Sequence, residues 1–139
     1  SKAIYAVQSY VMAHAKQLRA NIWYAVYGWN YSGLLQGDNT PYPVYDSYAF
    51  TSQMLGKTKW IETLDLGSGL YAYNFRVPLK NIWVVWSKDG SSQNVDLGDV
   101  PNAAWEWDSA SNQYIPATPQ QTVDIGVAPV FLEWDPTGD

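Results

Sequence analysis

A chain of 139 residues has the size of one domain, and folding hides about 68% of its extended surface, enough for a real core. Eight Lys and Arg against 13 Asp and Glu leave a net charge of −5 with the cations scattered, which excludes a nucleic-acid footprint. Cysteine is absent, so disulfide scaffolds, thiolate metal sites and cysteine nucleophiles are excluded as well.

Aromatic residues (16%) outweigh charged ones (15%), and 8 Trp and 11 Tyr stand against 3 Phe. That composition is too apolar for a disordered segment. Trp and Tyr pair a flat apolar face with a polar handle, which suits surfaces that meet sugars or protein partners. No stretch approaches the roughly 18 apolar residues of a membrane helix, so no membrane partner is expected. The sequence opens at Ser1 inside a helical pattern, as a processed product or a fragment would.

From Lys2 to Arg19 the apolar positions Ile4, Val7, Val11, Ala15 and Leu18 recur at helical spacing, with small residues Ala6, Ala13 and Ala15 permitting close approach of a neighbour. Ile22 to Tyr27 is β-branched and aromatic on both sides, the pattern of a strand buried on both faces. A Gly-, Asn- and Pro-rich loop from Gly28 to Pro43 follows, then a second helix from Val44 to Leu55 ended by Gly56. Beyond Lys57 the texture becomes short strands: Trp60 to Leu66, Leu70 to Val77, Ile82 to Ser87, Gln93 to Leu97, Ala103 to Trp107, Gln121 to Ile125 and Pro129 to Trp134. Turn signals such as Lys88-Asp89-Gly90 and Asp108-Ser109 separate them and require antiparallel connections. The expected fold is mainly β: an antiparallel β-sandwich of Greek-key type over 57–139, preceded by a helix-strand-helix segment over 1–56. A strand buried on both faces expects parallel neighbours, which this chain does not supply, so residues 1–56 read as the last piece of a larger α/β sheet or barrel.

The run Val7-Gln8-Ser9-Tyr10-Val11-Met12-Ala13-His14-Ala15, followed by Ile22-Trp23-Tyr24 and a tryptophan-bearing loop, resembles the end of the (β/α)8 barrel in retaining glycoside hydrolases. Tyr71-Ala72-Tyr73-Asn74-Phe75, Ile82-Trp83-Val84-Val85-Trp86-Ser87, Val95-Asp96-Leu97 and Gly126 to Glu133 resemble the C-terminal β-sandwich that such enzymes carry. The resemblance implies that both catalytic glutamates lie upstream of Ser1. It also implies that this chain is non-catalytic, braces an upstream catalytic barrel, needs no cofactor and belongs to a secreted or cell-surface protein. Retaining chemistry needs two carboxyls about 5 to 5.5 Å apart, and Glu62, Glu106 and Glu133 fall on separate predicted strands, so a surface role is expected for each.

Trp29 and Tyr31 follow the buried strand at its C-terminal end, where barrel enzymes hold substrate, and are candidate sugar-stacking residues; the alternative is packing under their own loop. Trp105 and Trp107 share one strand face at i and i+2, with Tyr114 nearby. They fit either an aromatic platform for carbohydrate, as in a free-standing binding module, or one inner face of the sandwich. His14 stands alone without a second His or any Cys, so no metal is expected and a hydrogen-bonded packing role is. Asp38, Asn39 and Asp46 lack calcium-loop spacing, and the Asn30-Tyr31-Ser32 sequon is assigned no role. If the Ile22 to Tyr27 strand lacks its neighbours, its exposed edge is a template for pairing with a second copy.

Overall fold

The computed structural model describes residues 1–18 and 33–135. The expected strand at Ile22 to Tyr27, and with it the self-pairing edge, lies outside the described residues, as do Trp29 and Tyr31. Two helices, α1 (Lys2–Ala15) and α2 (Pro43–Leu55), precede eight strands: β1 (Lys59–Thr63), β2 (Leu70–Val77), β3 (Lys80–Ser87), β4 (Gln93–Asp96), β5 (Ala103–Asp108), β6 (Gln113–Ala117), β7 (Thr122–Ile125) and β8 (Val130–Trp134). The fold is mainly β, as expected.

Six strands form one antiparallel sheet in the order β1-β2-β3-β8-β5-β6, and β4 pairs with β7 in a second, two-stranded sheet. Strand alternation separates two cores across the larger sheet. On one face Tyr73, Phe75, Ile82, Val84, Trp86 and Phe131 meet Val7, Val11 and Ala15 of α1 and Leu55 of α2. On the other, Leu70, Ala72, Val85, Ala104, Val130 and Leu132 meet Val95, Val123 and Ile125 of the small sheet. Residues on both sides of position 56 therefore build the first core.

The helices touch each other through small residues. Ala3 and Ala6 pack on Val44, and the buried Ser47 hydroxyl lies 3.0 Å from the Ala3 carbonyl. Ser1 caps α1, its hydroxyl accepting from the Ile4 amide at 3.3 Å. The helix stops at Ala15, four residues short of the expected Arg19. Gln17 turns to φ +59, its amide donates to His14 O, and the Leu18 amide donates to Ala13 O, the paired bonds of a Schellman cap made without glycine. Gly56 does end α2, but at φ −60; a Cβ there would stand 2.5 Å from the Ser52 carbonyl oxygen, so closeness rather than a left-handed turn requires glycine.

Beyond Lys57 seven strands are expected and eight are found, β6 being the one not expected. Pro116 in its sequence argues against a central strand, and β6 sits at the sheet edge, the place in a sheet where proline is tolerated. The Asp108-Ser109 turn closes the β5–β6 hairpin through Asp108, whose carboxylate accepts from the Ala110 and Ser111 amides.

Candidate functional site

Trp105 and Trp107 project from β5 toward the helices, and Glu106 between them is exposed on the opposite side. Trp105 lies 6.3 Å from the Phe50 ring of α2, while Trp107 packs on the Ala3, Ala6 and Val44 cluster and meets Tyr114 edge-on at 5.6 Å. Tyr114 stacks on Phe50 at 4.7 Å and donates its hydroxyl to Pro129 O at 2.7 Å, and burial pushes its phenol pKa far up. The two indoles thus share one face, as the spacing required, and both serve the helix-facing interior. Each shows its remaining surface to a different groove. Trp105 borders one of about 600 Å³ with Gln53, Lys57 and Lys80. Trp107 borders one of about 530 Å³ with Ser1, Asn112 and Asp124.

A groove of about 650 Å³ runs between α1 and the β3–β4 turn. Tyr5, Gln8 and Met12 form its helical wall, Tyr71 and Trp86 its floor, and Lys88 and Asp89 its rim. Tyr71 and Trp86 are cross-strand partners with rings 5.2 Å apart, and the Lys88 ammonium stands 5.1 Å from the Tyr71 centroid. Asp89 accepts from the Ser91 hydroxyl at 2.6 Å, the Ser91 amide at 2.9 Å and the Ser87 hydroxyl at 3.0 Å. Those bonds, the Ser91 hydroxyl foremost, hold its pKa down to about 2. Such a carboxylate stays ionised and occupied, so it orders the rim and is unsuited to deliver a proton near neutrality. In the sequence Tyr71 reads only as an alternating strand residue; nothing local signals that α1 would lie across from it.

The three glutamates singled out in the sequence are not brought together as a catalytic pair. Glu62 on β1 and Glu106 on β5 are four strands apart, about 19 Å at the usual strand spacing. Glu133 on β8 is held in an ion pair with Lys80 at 2.7 Å on the helix-facing side. His14 is a hydrogen-bonded packing residue, stacked on Phe75 at 5.1 Å with Nε2 3.0 Å from both Thr58 O and Oγ1. Because the Thr58 hydroxyl donates to Leu55 O at 2.7 Å, the proton on this contact belongs to Nε2. Among the described residues no three His, Asp or Glu side chains gather as a metal site, and no helix is long and apolar enough to cross a membrane.

No family model matches the chain, and no curated protein sequence matches it. Solved structures do. A glycoside hydrolase family 30 endoxylanase from Clostridium papyrosolvens C71 matches with a TM-score of 0.64 and 11% identity, over 96% of this chain and 38% of its own. The family 30 subfamily 8 xylanase from Clostridium acetobutylicum matches with a TM-score of 0.65 and 13% identity, over 94% of this chain and 38% of its own. The resemblance read from the sequence holds at the level of the fold. The chain spans 38% of the length of either xylanase.

Proposed function

We propose that this chain is the non-catalytic C-terminal part of a larger glycoside hydrolase. Residues 1–56 would be its last barrel unit and residues 57–139 a sandwich that braces the barrel. The observation that carries the reading is that nearly the whole chain, helices included, superposes on a little over a third of each of two xylanases. The packing gives the bracing a physical form, because α1 and α2 bury Val7, Val11, Ala15 and Leu55 on the large sheet, so helices belonging to a barrel would be held from outside by the sandwich. The separation of Glu62, Glu106 and Glu133 fits a chain whose catalytic carboxylates reside elsewhere. Xylan is the substrate class the neighbours suggest for the whole protein, and a polymeric substrate suits a secreted enzyme. Trp29 and Tyr31 remain candidates to line the sugar cleft at the end of the last barrel strand.

The test is to incubate the purified chain with xylan, other β-glycans and aryl glycosides and to follow reducing-sugar release. No turnover is expected; activity that persists through repeated purification and tracks the protein peak would overturn the reading. A second reading, a free-standing carbohydrate-binding module using Trp105 or Trp107, is favoured by the two grooves on which those indoles open. Saturable glycan binding lost on Trp105→Ala or Trp107→Ala would support it.

A further inference from the structure

The two-stranded sheet covers only part of the second face of the six-stranded sheet. Beyond it two rows of side chains cross the strands: Glu62, Asn74 and Trp83 in one, Lys59, Arg76, Asn81 and Trp134 in the next. Trp83 and Trp134 lie with ring centroids 4.6 Å apart, both half-buried at the margin of the second core. Around them sit amides and exposed ions already tied to one another. Arg76 Nε donates to Asn81 Oδ1 at 3.0 Å, and Asn74 Nδ2 donates to Glu62 Oε1 at 3.3 Å.

Two polar atoms on this face are buried without a hydrogen-bond partner among the described residues, Asn74 Oδ1 and Trp134 Nε1, although Asn74 is only 5% exposed. A buried unpaired polar atom costs free energy, and a site built for a ligand is where such a cost is recovered. One of these atoms accepts and the other donates, which matches a ligand rich in hydroxyls, since each hydroxyl does both. The Asn74–Glu62 bond is long and its acceptor Glu62 is exposed, so a ligand hydroxyl competes with it at little cost.

We propose that this face binds a neutral oligosaccharide chain, its C–H faces against the Trp83 and Trp134 indoles and its hydroxyls on the Asn74 amide, the Trp134 N–H, Arg76 and Asn81. Indoles offer large apolar faces for ring C–H groups, and the surrounding amides supply the few convergent polar atoms that fix orientation. Lys59 stands opposite Arg76 on β1 and Glu62 lies in the neighbouring row, so the patch carries only about one net positive charge, little with which to hold a polyanion. A peptide strand joins a sheet at its edge, through backbone bonds that a sheet face does not offer. The choice of sugar rests on the glycoside hydrolase reading above, and the site is separate from the grooves at Trp105, Trp107 and Tyr5.

Titrating the 139-residue chain with xylohexaose, and with cellohexaose in parallel, tests the proposal by indole N–H NMR and by calorimetry. The Trp83 and Trp134 indole N–H signals are expected to shift saturably, with at least tenfold weaker binding in Trp83→Ala and in Arg76→Ala. The exposed Arg76 makes the second a variant that keeps the fold, checked by its thermal melt. Trp134→Phe keeps a ring but removes the donor and is expected to weaken binding severalfold, while Tyr5→Ala in the α1 groove leaves it unchanged. Flat titrations with both sugars, or binding that survives Trp83→Ala and Arg76→Ala but is lost in Tyr5→Ala, would overturn this site. Hydrolysis of the hexaoses by the pure chain would instead overturn the reading of the chain as non-catalytic.

Discussion

Phe131→Ala removes the ring through which the large sheet grips α2. Phe131 is fully buried and meets Phe50 of α2 edge-on at 5.0 Å and Tyr114 of β6 edge-on at 5.3 Å. Truncating a core Phe costs about 3–5 kcal/mol, a large share of the roughly 5–15 kcal/mol that domains possess. With a urea slope of about 2 kcal/mol/M the unfolding midpoint is expected to fall by about 2 M. Phe50→Ala, at a half-buried ring, costs about 1.5–3 kcal/mol by lost burial. Each single variant also loses the shared edge-to-face contact, which the double variant loses only once. The double variant should therefore cost less than the sum by about 0.5–1.5 kcal/mol. Urea unfolding of the four proteins followed by circular dichroism measures this directly. Additivity within about 0.3 kcal/mol would show that α2 is not docked on the sheet through these rings.

Gln17→Gly relieves the left-handed strain of the α1 cap and is expected to raise Tm by about 2 °C; an unchanged or lower Tm would contradict the cap as described. Asp89 has a depressed pKa, so the ordering it gives the β3–β4 turn is fully present above about pH 4 and is lost as pH falls through about 2. Carboxyl NMR titration should place its midpoint near 2, and Asp89→Asn should broaden the Ser87 and Ser91 amide signals at neutral pH; a midpoint near 4 would refute the three-bond cradle. Ser47→Val should cost more than Ser47→Ala, by about 1–3 kcal/mol in chemical unfolding, because Ala3 lies within hydrogen-bond distance of this side chain and leaves no room for branching. Equal costs would mean that the helices are free to separate there.

The elements most legible in the sequence are those that alternate without interruption. Tyr71, Tyr73 and Phe75, together with Ile82, Val84 and Trp86, announced β2 and β3 within two residues of their observed ends, because each face of these strands meets its own core. The end of α1 was hidden because a Schellman cap is ordinarily written with glycine and here uses Gln17. Strand β6 was hidden because Pro116 is tolerated only at an edge, and edge position is a property of strand order, which no local pattern carries. The same limit governs the sites. Spacing placed Trp105 and Trp107 on one face, but which layer that face meets depends on where the helices settle. The Trp83–Trp134 pair joins strands some fifty residues apart, and only the pairing of β3 with β8 brings them together.

On the reading proposed above, this chain is one part of a larger hydrolase. Since 96% of 139 residues amounts to 38% of the Clostridium papyrosolvens chain, that chain runs to about 350 residues. At the mass per residue of this chain, 15.6 kDa over 139, such a length corresponds to about 39 kDa. An antibody raised against the 139 residues, used on rapidly denatured cells and culture medium of the source organism, reads the native size. A band near or above 39 kDa, enriched in the medium, is the expected result; a single band at 15.6 kDa in freshly denatured samples would contradict the account.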